Sequence, residues 1–283
     1  MTTHFNDVRD EPMRLGVNTL WRESGSGDAG TALMLHSLGL DRCAFDDMRR
    51  ALPPHWRVVS FDARGHGAAS AETAFDFDDC VADALAAVEL CEARYPGVPV
   101  HLIGHSMGGA LAASVAARMH DVKRIASLAL IATPPVGMPA FAERGDSAIS
   151  EGMRRAIDNT LERWFGKLQD REIAPALAYA RASLSTMQER GYVSAWHALA
   201  QFGGYGTLAA TLPPTLAVAG SEDLSTPPAV MASIGQAFST ADVDDMFQTA
   251  TIEGAGHMLV LTHAAMLARK LDEHWRRAMR FEA

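Results

Sequence analysis

The stretch Gly104-His105-Ser106-Met107-Gly108-Gly109 decides the fold. It matches G-x-S-x-G, a pattern in which a serine stands on a sharp turn between a strand and a helix. The apolar run at 100–103 precedes the turn, and a helical pattern of small residues follows it. We interpret Ser106 as a nucleophile. This role requires a base and an oxyanion site, because a free hydroxyl is weakly nucleophilic. The alternative is a glycine-rich turn with an incidental serine.

Short apolar runs alternate with amphipathic stretches on both sides of this motif, as in βαβ units. The pattern predicts an α/β fold with a mostly parallel central sheet flanked by helices. Strands are predicted at 15–21, 32–36, 57–61, 100–103, 125–131, 215–219 and 246–252, and helices at 43–51, 77–95, 107–119, 228–238 and 263–281.

The alternation stops between Thr133-Pro134-Pro135 and Leu212-Pro213-Pro214, where only helical patterns occur. Double proline at both edges indicates the boundaries of an insertion. We therefore predict that residues 1–133 and 213–283 form the core domain and that residues 134–212 form an inserted helical lid.

A base for Ser106 is expected near the C-terminus, because the chain order in such folds is serine, acid, histidine. His257 ends Glu253-Gly254-Ala255-Gly256-His257, a loop of mostly small residues after the last predicted strand. Such a loop can place an imidazole over the edge of the sheet. His263 and His274 fall in the final predicted helix, where we expect solvated side chains. We predict His257 as the general base.

The acid is expected after the strand at 215–219, in Gly220-Ser221-Glu222-Asp223. Glu222 and Asp223 compete for the role, and helix capping is the alternative for either carboxylate. A short aspartate in a tight loop suits the orientation of an imidazole, so we favour Asp223 as the acid.

An oxyanion hole needs two backbone N–H donors. One is expected from Met107, the residue after the nucleophile. The other is expected in His36-Ser37-Leu38-Gly39, where we predict the Leu38 N–H. The alternative for this loop is a simple tight turn. A second glycine turn at 61–67 carries aspartate, arginine and histidine side chains, which we interpret as a hydrogen-bonded scaffold near the nucleophile rather than catalytic groups.

The composition excludes several classes of function. The chain has 25 Lys and Arg against 34 Asp and Glu, a net charge of −9, which argues against nucleic acid or an anionic membrane as a partner. The N-terminus shows no signal-peptide pattern, and no apolar run is long enough to span a bilayer, so we expect a cytoplasmic protein. The three cysteines fit a reducing compartment.

Since no nucleotide-binding or metal-binding motif occurs, we expect no cofactor and no metal.

Five motifs together resemble the α/β-hydrolase superfamily over the whole chain. Within it, the chain is most similar to the 3-oxoadipate enol-lactonases and their relatives, in the Ser37-Leu-Gly loop, Leu161-Glu-Arg-Trp-Phe165, Gly191-Tyr192 and Ala219-Gly-Ser-Glu-Asp-Leu-Ser-Thr-Pro-Pro228. Two positions depart from the enol-lactonase pattern, which often has Asn at the place of His36 and an apolar residue at the place of His105. Both border the predicted site, so the substrate stays open. The motifs are His36-Ser-Leu-Gly, Asp62-Ala-Arg-Gly-His-Gly, Gly104-His-Ser-Met-Gly-Gly, Gly220-Ser-Glu-Asp and Gly254-Ala-Gly-His.

The resemblance implies a serine hydrolase that cleaves a small carboxylic ester or enol-lactone. A C–C bond hydrolase of aromatic ring-cleavage products, a broad carboxylesterase and a non-catalytic ligand-binding protein are the alternatives. An anionic substrate would need cations in the lid, because the net charge of −9 repels it. The alternative for each lid arginine is a solvated surface charge. The predicted substrate contacts are Arg144, Arg154, Arg163 and Arg181, with Trp164 and Trp196 as apolar walls.

Overall fold

The computed structural model describes residues 8–119, 125–166, 173–206, 212–236 and 246–280. At its centre lies one sheet of eight strands. The strands are β1 (Arg9–Arg14), β2 (Asn18–Ser24), β3 (Gly30–Leu35), β4 (Trp56–Phe61), β5 (Val100–His105), β6 (Ile125–Ile131), β7 (Thr215–Gly220) and β8 (Phe247–Ile252).

The spatial order of the strands is β1-β2-β4-β3-β5-β6-β7-β8. The six strands from β3 to β8 run parallel, and β1 and β2 join them as an antiparallel pair at one edge. Every residue of β3, β5, β6 and β7 is buried, as expected for strands covered on both faces. The predicted mostly parallel sheet is confirmed.

The antiparallel edge of the sheet differs from the prediction in two respects. The strand predicted at 15–21 begins only at Asn18, because Gly16 turns the chain with a φ of 84°. The strand β1 before that turn was not predicted. It is an edge strand with no fully buried residue, and it contains Pro12, which interrupts a strand pattern but is tolerated at an edge.

The helices cover both faces of the sheet, and α3 packs on β5 and β6 while α10 packs on β6. The predicted helix at 43–51 is a 3₁₀ turn followed by α1, and the predicted ends at 238 and 281 lie outside the described residues. The helices are α1 (Asp46–Ala51), α2 (Phe77–Arg94), α3 (Met107–Arg118), α4 (Pro139–Ser150), α5 (Met153–Phe165), α6 (Ala174–Thr186), α7 (Glu189–Ala200), α8 (Pro228–Gln236), α9 (Leu259–Thr262) and α10 (Ala264–Ala278).

Between β6 and β7 the described chain forms the four helices α4 to α7. Helix α4 packs on α5 and α7, α5 packs on α6, and α7 also contacts α2 beside the sheet. No helix in the described ranges is long and apolar enough to cross a membrane.

Candidate active site

Ser106 occupies the turn between β5 and α3 with φ 53° and ψ −114°. This is a strained conformation for any residue with a side chain. The Ser106 N–H donates to the carbonyl oxygen of Ile131 at 2.8 Å, and the Gly109 N–H donates to the Ser106 carbonyl at 2.9 Å. Hydrogen bonds to β6 and from α3 therefore hold the turn, and the Ser106 side chain lines a cleft.

Two glycines of the motif are required by close packing. A Cβ on Gly104 would lie 2.1 Å from the Gly108 carbonyl oxygen, and a Cβ on Gly108 would lie 2.1 Å from the Leu35 carbonyl oxygen. Backbone atoms cannot move aside as a flexible side chain can. The spacing of the glycines thus lets β3, β5 and α3 meet directly beneath Ser106.

The structure brings Ser106, His257 and Asp223 into one hydrogen-bonded chain. The distance from His257 Nε2 to Ser106 Oγ is 3.1 Å, and the distance from His257 Nδ1 to Asp223 Oδ2 is 2.9 Å. With a proton on Nδ1, the imidazole donates to the carboxylate, and Nε2 is free to accept from the hydroxyl. All three residues are buried. This is the arrangement of nucleophile, base and orienting acid that acyl transfer needs.

Asp223 is held by four hydrogen bonds. Its Oδ1 accepts from the N–H groups of Ser225 and Thr226 at 2.7 and 2.9 Å, and its Oδ2 accepts from the Thr226 hydroxyl at 2.6 Å and from His257. Burial alone would raise the pKa of Asp223. The charge of His257 and the hydrogen bonds from His257 and Thr226 outweigh burial, so its pKa lies well below the usual range. The competing Glu222 is exposed.

His105 connects the nucleophile turn to the histidine loop. Its Nε2 lies 2.9 Å from the carbonyl oxygen of His257. Because a carbonyl can only accept, Nε2 carries the proton. Burial lowers the pKa of His105 to about 3, so the ring is neutral near pH 7. The residue immediately before Ser106 therefore holds the backbone of His257.

The N–H groups of Leu38 and Met107 have no hydrogen-bond acceptor among the described residues. Met107 is the first residue of α3, and Leu38 lies in the loop after β3. An oxyanion hole needs such free N–H donors, and the assignment of Leu38 and Met107 to one stays a prediction.

The cleft above Ser106 is lined by residues of the core and of α4, α5 and α7. Trp164 from α5 stacks on the His257 imidazole, with ring centroids 6.4 Å apart. The lining residues are Ser37, Leu38, Ser106, Pro134, Phe141, Arg144, Arg163, Trp164, Trp196, Leu199, Ser225, Thr226 and His257.

Two of the four predicted lid arginines, Arg144 and Arg163, line this cleft. Neither forms a salt bridge with a carboxylate of the described residues. Burial lowers the pKa of Arg144, and burial together with the charge of Arg144 lowers the pKa of Arg163. Both stay charged at neutral pH, because an arginine titrates far above it. The cleft thus holds two partly buried cations without an anionic partner in that part of the structure.

The other two arginines do not line the cleft, which corrects the prediction for them. Arg181 lies on the surface, where it forms a 2.7 Å salt bridge with Asp158. Arg154 is exposed on α5. Helices α5 and α6 point these positions outward. Both predicted tryptophans, Trp164 and Trp196, do line the cleft.

Sequence reasoning missed Thr226 as a partner of the acid and Phe141 as a wall. A hydroxyl residue three positions after an aspartate in a loop is the signal that could have indicated Thr226. It also expected His274 to be solvated, whereas His274 is buried with Nε2 3.1 Å from the Leu128 carbonyl oxygen. His263 is half-buried and lies 2.9 Å from the Thr262 hydroxyl.

Residues 32–270 match the family model described as "Alpha/beta hydrolase family". The chain therefore belongs to the alpha/beta hydrolase family. This confirms the superfamily predicted from the motifs.

Two curated relatives illustrate the range of the family. The chain is 35% identical over 158 residues to a pimeloyl-[acyl-carrier protein] methyl ester esterase of Chromobacterium violaceum, a match that covers 54% of this chain and 56% of that protein. It is 29% identical over 207 residues to 3-oxoadipate enol-lactonase 1 of Acinetobacter baylyi, which covers 71% of this chain and 74% of that enzyme.

Among solved structures, the enol-lactonase from Burkholderia xenovorans LB400 superposes with a TM-score of 0.81 at 25% identity, covering 93% of this chain and 99% of that one. A thermophilic esterase from Thermogutta terrifontis superposes with a TM-score of 0.78 at 20% identity, covering 96% and 99% of the two chains. The second likeness shows the fold alone.

Proposed function

We propose that the protein is a serine hydrolase that cleaves a small carboxylic ester or enol-lactone of the 3-oxoadipate enol-lactone type through an acyl-enzyme. The observation that carries the proposal is the unbroken chain of hydrogen bonds from Ser106 through His257 to Asp223, at the floor of a cleft lined by two arginines.

In this mechanism His257 Nε2 takes the hydroxyl proton as Ser106 Oγ attacks the substrate carbonyl carbon. Asp223 stabilises the imidazolium, and the N–H groups of Leu38 and Met107 hold the negative oxygen of the tetrahedral intermediate. The intermediate collapses, and the alkoxide or enolate leaves with the proton of His257. An enol then ketonises. Water, activated by His257, hydrolyses the acyl-enzyme.

An anionic substrate is supported by the electrostatics of the cleft. The net charge of −9 repels an anion at long range, so binding requires local cations. Arg144 and Arg163 supply them beside the reacting groups. Trp196 lines the same cleft, and its indole N–H is buried without a hydrogen-bond partner in the described structure. These groups favour a substrate with a free carboxylate over a neutral ester.

The alternatives use the same cleft differently. A C–C bond hydrolase and a broad carboxylesterase would share Ser106, His257 and Asp223 and differ in the substrate that the lid accepts. A non-catalytic binding protein would have an unreactive serine. The relatives named as an enol-lactonase and a methyl ester esterase support ester-bond chemistry.

Two measurements test the proposal. A fluorophosphonate probe should label the wild type at Ser106 and leave Ser106→Ala unlabelled; an unlabelled wild type would indicate a binding protein. The purified enzyme is then assayed against lactones, aryl esters and dienoates, each as an anionic and a neutral analogue. Turnover of the dienoate alone would favour the C–C hydrolase.

A further inference from the structure

Two histidines outside the proposed triad exchange hydrogen bonds between two loops at the carboxyl edge of the sheet. His36, in the loop after β3, accepts the Ala63 N–H at its Nε2 over 2.9 Å. His66, in the loop after β4, accepts the Gly39 N–H at its Nε2 over 2.9 Å. Each loop therefore supplies a ring that accepts from the backbone of the other.

The second nitrogen of each ring fixes its protonation state. His36 Nδ1 lies 2.8 Å from the Ser37 carbonyl oxygen, and His66 Nδ1 lies 2.7 Å from the Arg64 carbonyl oxygen. A carbonyl only accepts and a backbone N–H only donates. All four bonds form together only when both rings are neutral with the proton on Nδ1. We call His36 and His66 in this state the histidine pair.

The histidine pair brackets Leu38. On one side of Leu38 the Ser37 carbonyl is held by His36, and on the other side the Gly39 N–H is held by His66. The two rings also contact each other edge to face, with centroids 5.1 Å apart, and both are buried. The backbone on both sides of the free Leu38 N–H is thus fixed by the two rings.

The loop that carries His66 is itself firmly anchored. The buried Asp62 carboxylate accepts the N–H groups of Arg42 and Ala68 and the Arg42 guanidinium, each at 2.8 Å. Its neighbour Arg64 pairs with Asp83 at 2.6 Å. This loop can therefore serve as a rigid support for the loop after β3.

We propose that His36 and His66 are positioning residues that hold the Leu38 N–H where it stabilises the oxyanion. The inference rests on the proposed function and extends it to residues that touch neither substrate nor the triad. A displacement of about 1 Å in such a donor costs about a hundredfold in rate, and loss of one donor costs about a hundred- to a thousandfold in turnover. The Leu38 donor is a backbone N–H, so a side-chain substitution at Leu38 does not remove it. Substitution of His36 or His66 can instead change its position.

The kinetic test compares three variants on the ester that the wild type hydrolyses. His66→Leu removes the acceptor for Gly39, and we expect kcat to fall about ten- to a hundredfold while KM stays within about twofold. His66→Gln keeps an acceptor and a donor and should recover most of kcat. His101→Leu is the matched control, since His101 is equally buried but bonds Ser127 on β6. It should lose stability and keep kcat.

A trifluoromethyl ketone separates positioning from a general loss of structure, because it forms a tetrahedral adduct that uses the oxyanion hole. Its inhibition constant should rise in His66→Leu by the same factor by which kcat/KM falls. A His66→Leu enzyme with unchanged kcat, or a His101→Leu enzyme with an equal kcat loss, would overturn the inference. An inactive wild type would overturn the proposed function and this inference with it.

The protonation state gives a test that is read on the wild type, with variants used only to assign its signals. Nitrogen-15 spectra of histidine-labelled wild type, assigned with His36→Gln and His66→Gln, should show a proton on Nδ1 and a lone pair on Nε2 in both rings at pH 7. A proton on Nε2 of either ring would overturn the histidine pair.

Discussion

Arg144 and Arg163 both place their guanidinium groups against the indole of Trp196, 5.4 and 6.0 Å from the ring centroid. The two cations come from different helices, α4 and α5, yet share one aromatic wall of the cleft. Arg163 is further held by a 2.9 Å hydrogen bond to Thr160 Oγ1. Like charges near each other, with no counter-ion among the described residues, are unfavourable, and an anion bound between them would relieve this repulsion.

Replacing Arg144 or Arg163 with Met should raise KM for an anionic substrate about ten- to a hundredfold, because a charge-assisted hydrogen bond contributes about 1.5–3 kcal/mol. KM for a matched neutral ester should change little. Arg181→Met is the control, since Arg181 pairs with Asp158 on the surface. Equal effects on both substrates, or none on either, would remove the support for an anionic substrate and favour a carboxylesterase.

Ser106→Ala and His257→Ala should each lower turnover by about a millionfold, as in a comparable triad, and the double variant should be little worse. The reason is that the two side chains act on one proton transfer across the 3.1 Å contact. Turnover of the three variants under saturating substrate measures this. Losses that multiply would show that the two residues act separately, against the proposed triad.

Asp223→Asn should lower kcat by about ten-thousandfold, as the same change does in a related triad, because the amide no longer stabilises the imidazolium and can favour the wrong tautomer. Glu222→Gln is a matched change on the neighbouring, exposed carboxylate and should be nearly silent. The comparison is made on kcat with both variants shown to be folded. A larger loss in Glu222→Gln would mean that the acid is misassigned.

Stability should fall in mild acid because of buried histidines. Burial lowers the pKa values of His66, His101 and His105 to about 3 and that of His274 to about 4. The unfolded chain, with histidine pKa values of about 6.5, binds more protons below that pH than the folded protein does. The contribution of these neutral histidines to the free energy of unfolding therefore has its full value above about pH 6.5 and decreases as the pH falls toward 4.

Each such histidine contributes a slope of up to about 1.4 kcal/mol per pH unit in this window. Urea denaturation at several pH values between 7 and 4.5 measures the slope. His101→Leu removes one of the four groups, so its slope should correspond to about one proton fewer. A slope identical to that of the wild type would argue against a neutral buried His101.

Gly104→Ala should prevent correct folding, because its Cβ would overlap the Gly108 carbonyl oxygen at 2.1 Å. Gly203→Ala offers a control, since a Cβ there meets nothing within 4 Å. Thermal unfolding of the two variants tests the contrast. A stable Gly104→Ala protein would show that β5 and α3 can separate.

The sheet could be predicted because buried parallel strands are short apolar runs, and β3, β5, β6 and β7 are of that kind. The edge strand β1 lacks this signal. In the candidate site, the order of motifs along the chain was enough to select Ser106, Asp223 and His257 as neighbours, since parallel strands bring their following loops to one edge.

The sequence could not show which of the arginines between β6 and β7 face the cleft. Arg154 and Arg163 are nine residues apart, so the helical period places them on opposite faces of α5. Which of these faces meets the cleft depends on how α4 to α7 pack on one another, and the sequence of α5 alone does not show this. The burial of His274 was missed for the same reason. A polar residue inside a helix is predicted to be exposed unless a buried hydrogen-bond partner is known, and for His274 that partner is the Leu128 carbonyl oxygen.

The location of α4 to α7 between β6 and β7 has a topological consequence. These two strands are parallel neighbours, so the chain leaving the carboxyl end of β6 must travel the whole height of the sheet before it can enter β7. The helices over the cleft are therefore built on a connection that the sheet needs in any case. Excising residues 134–212 in favour of a tight hairpin link would reverse the direction of β7 and carry Asp223 to the opposite edge from Ser106. This connection can vary in sequence and length, but it must still span the sheet if Asp223 and Ser106 are to lie at the same edge.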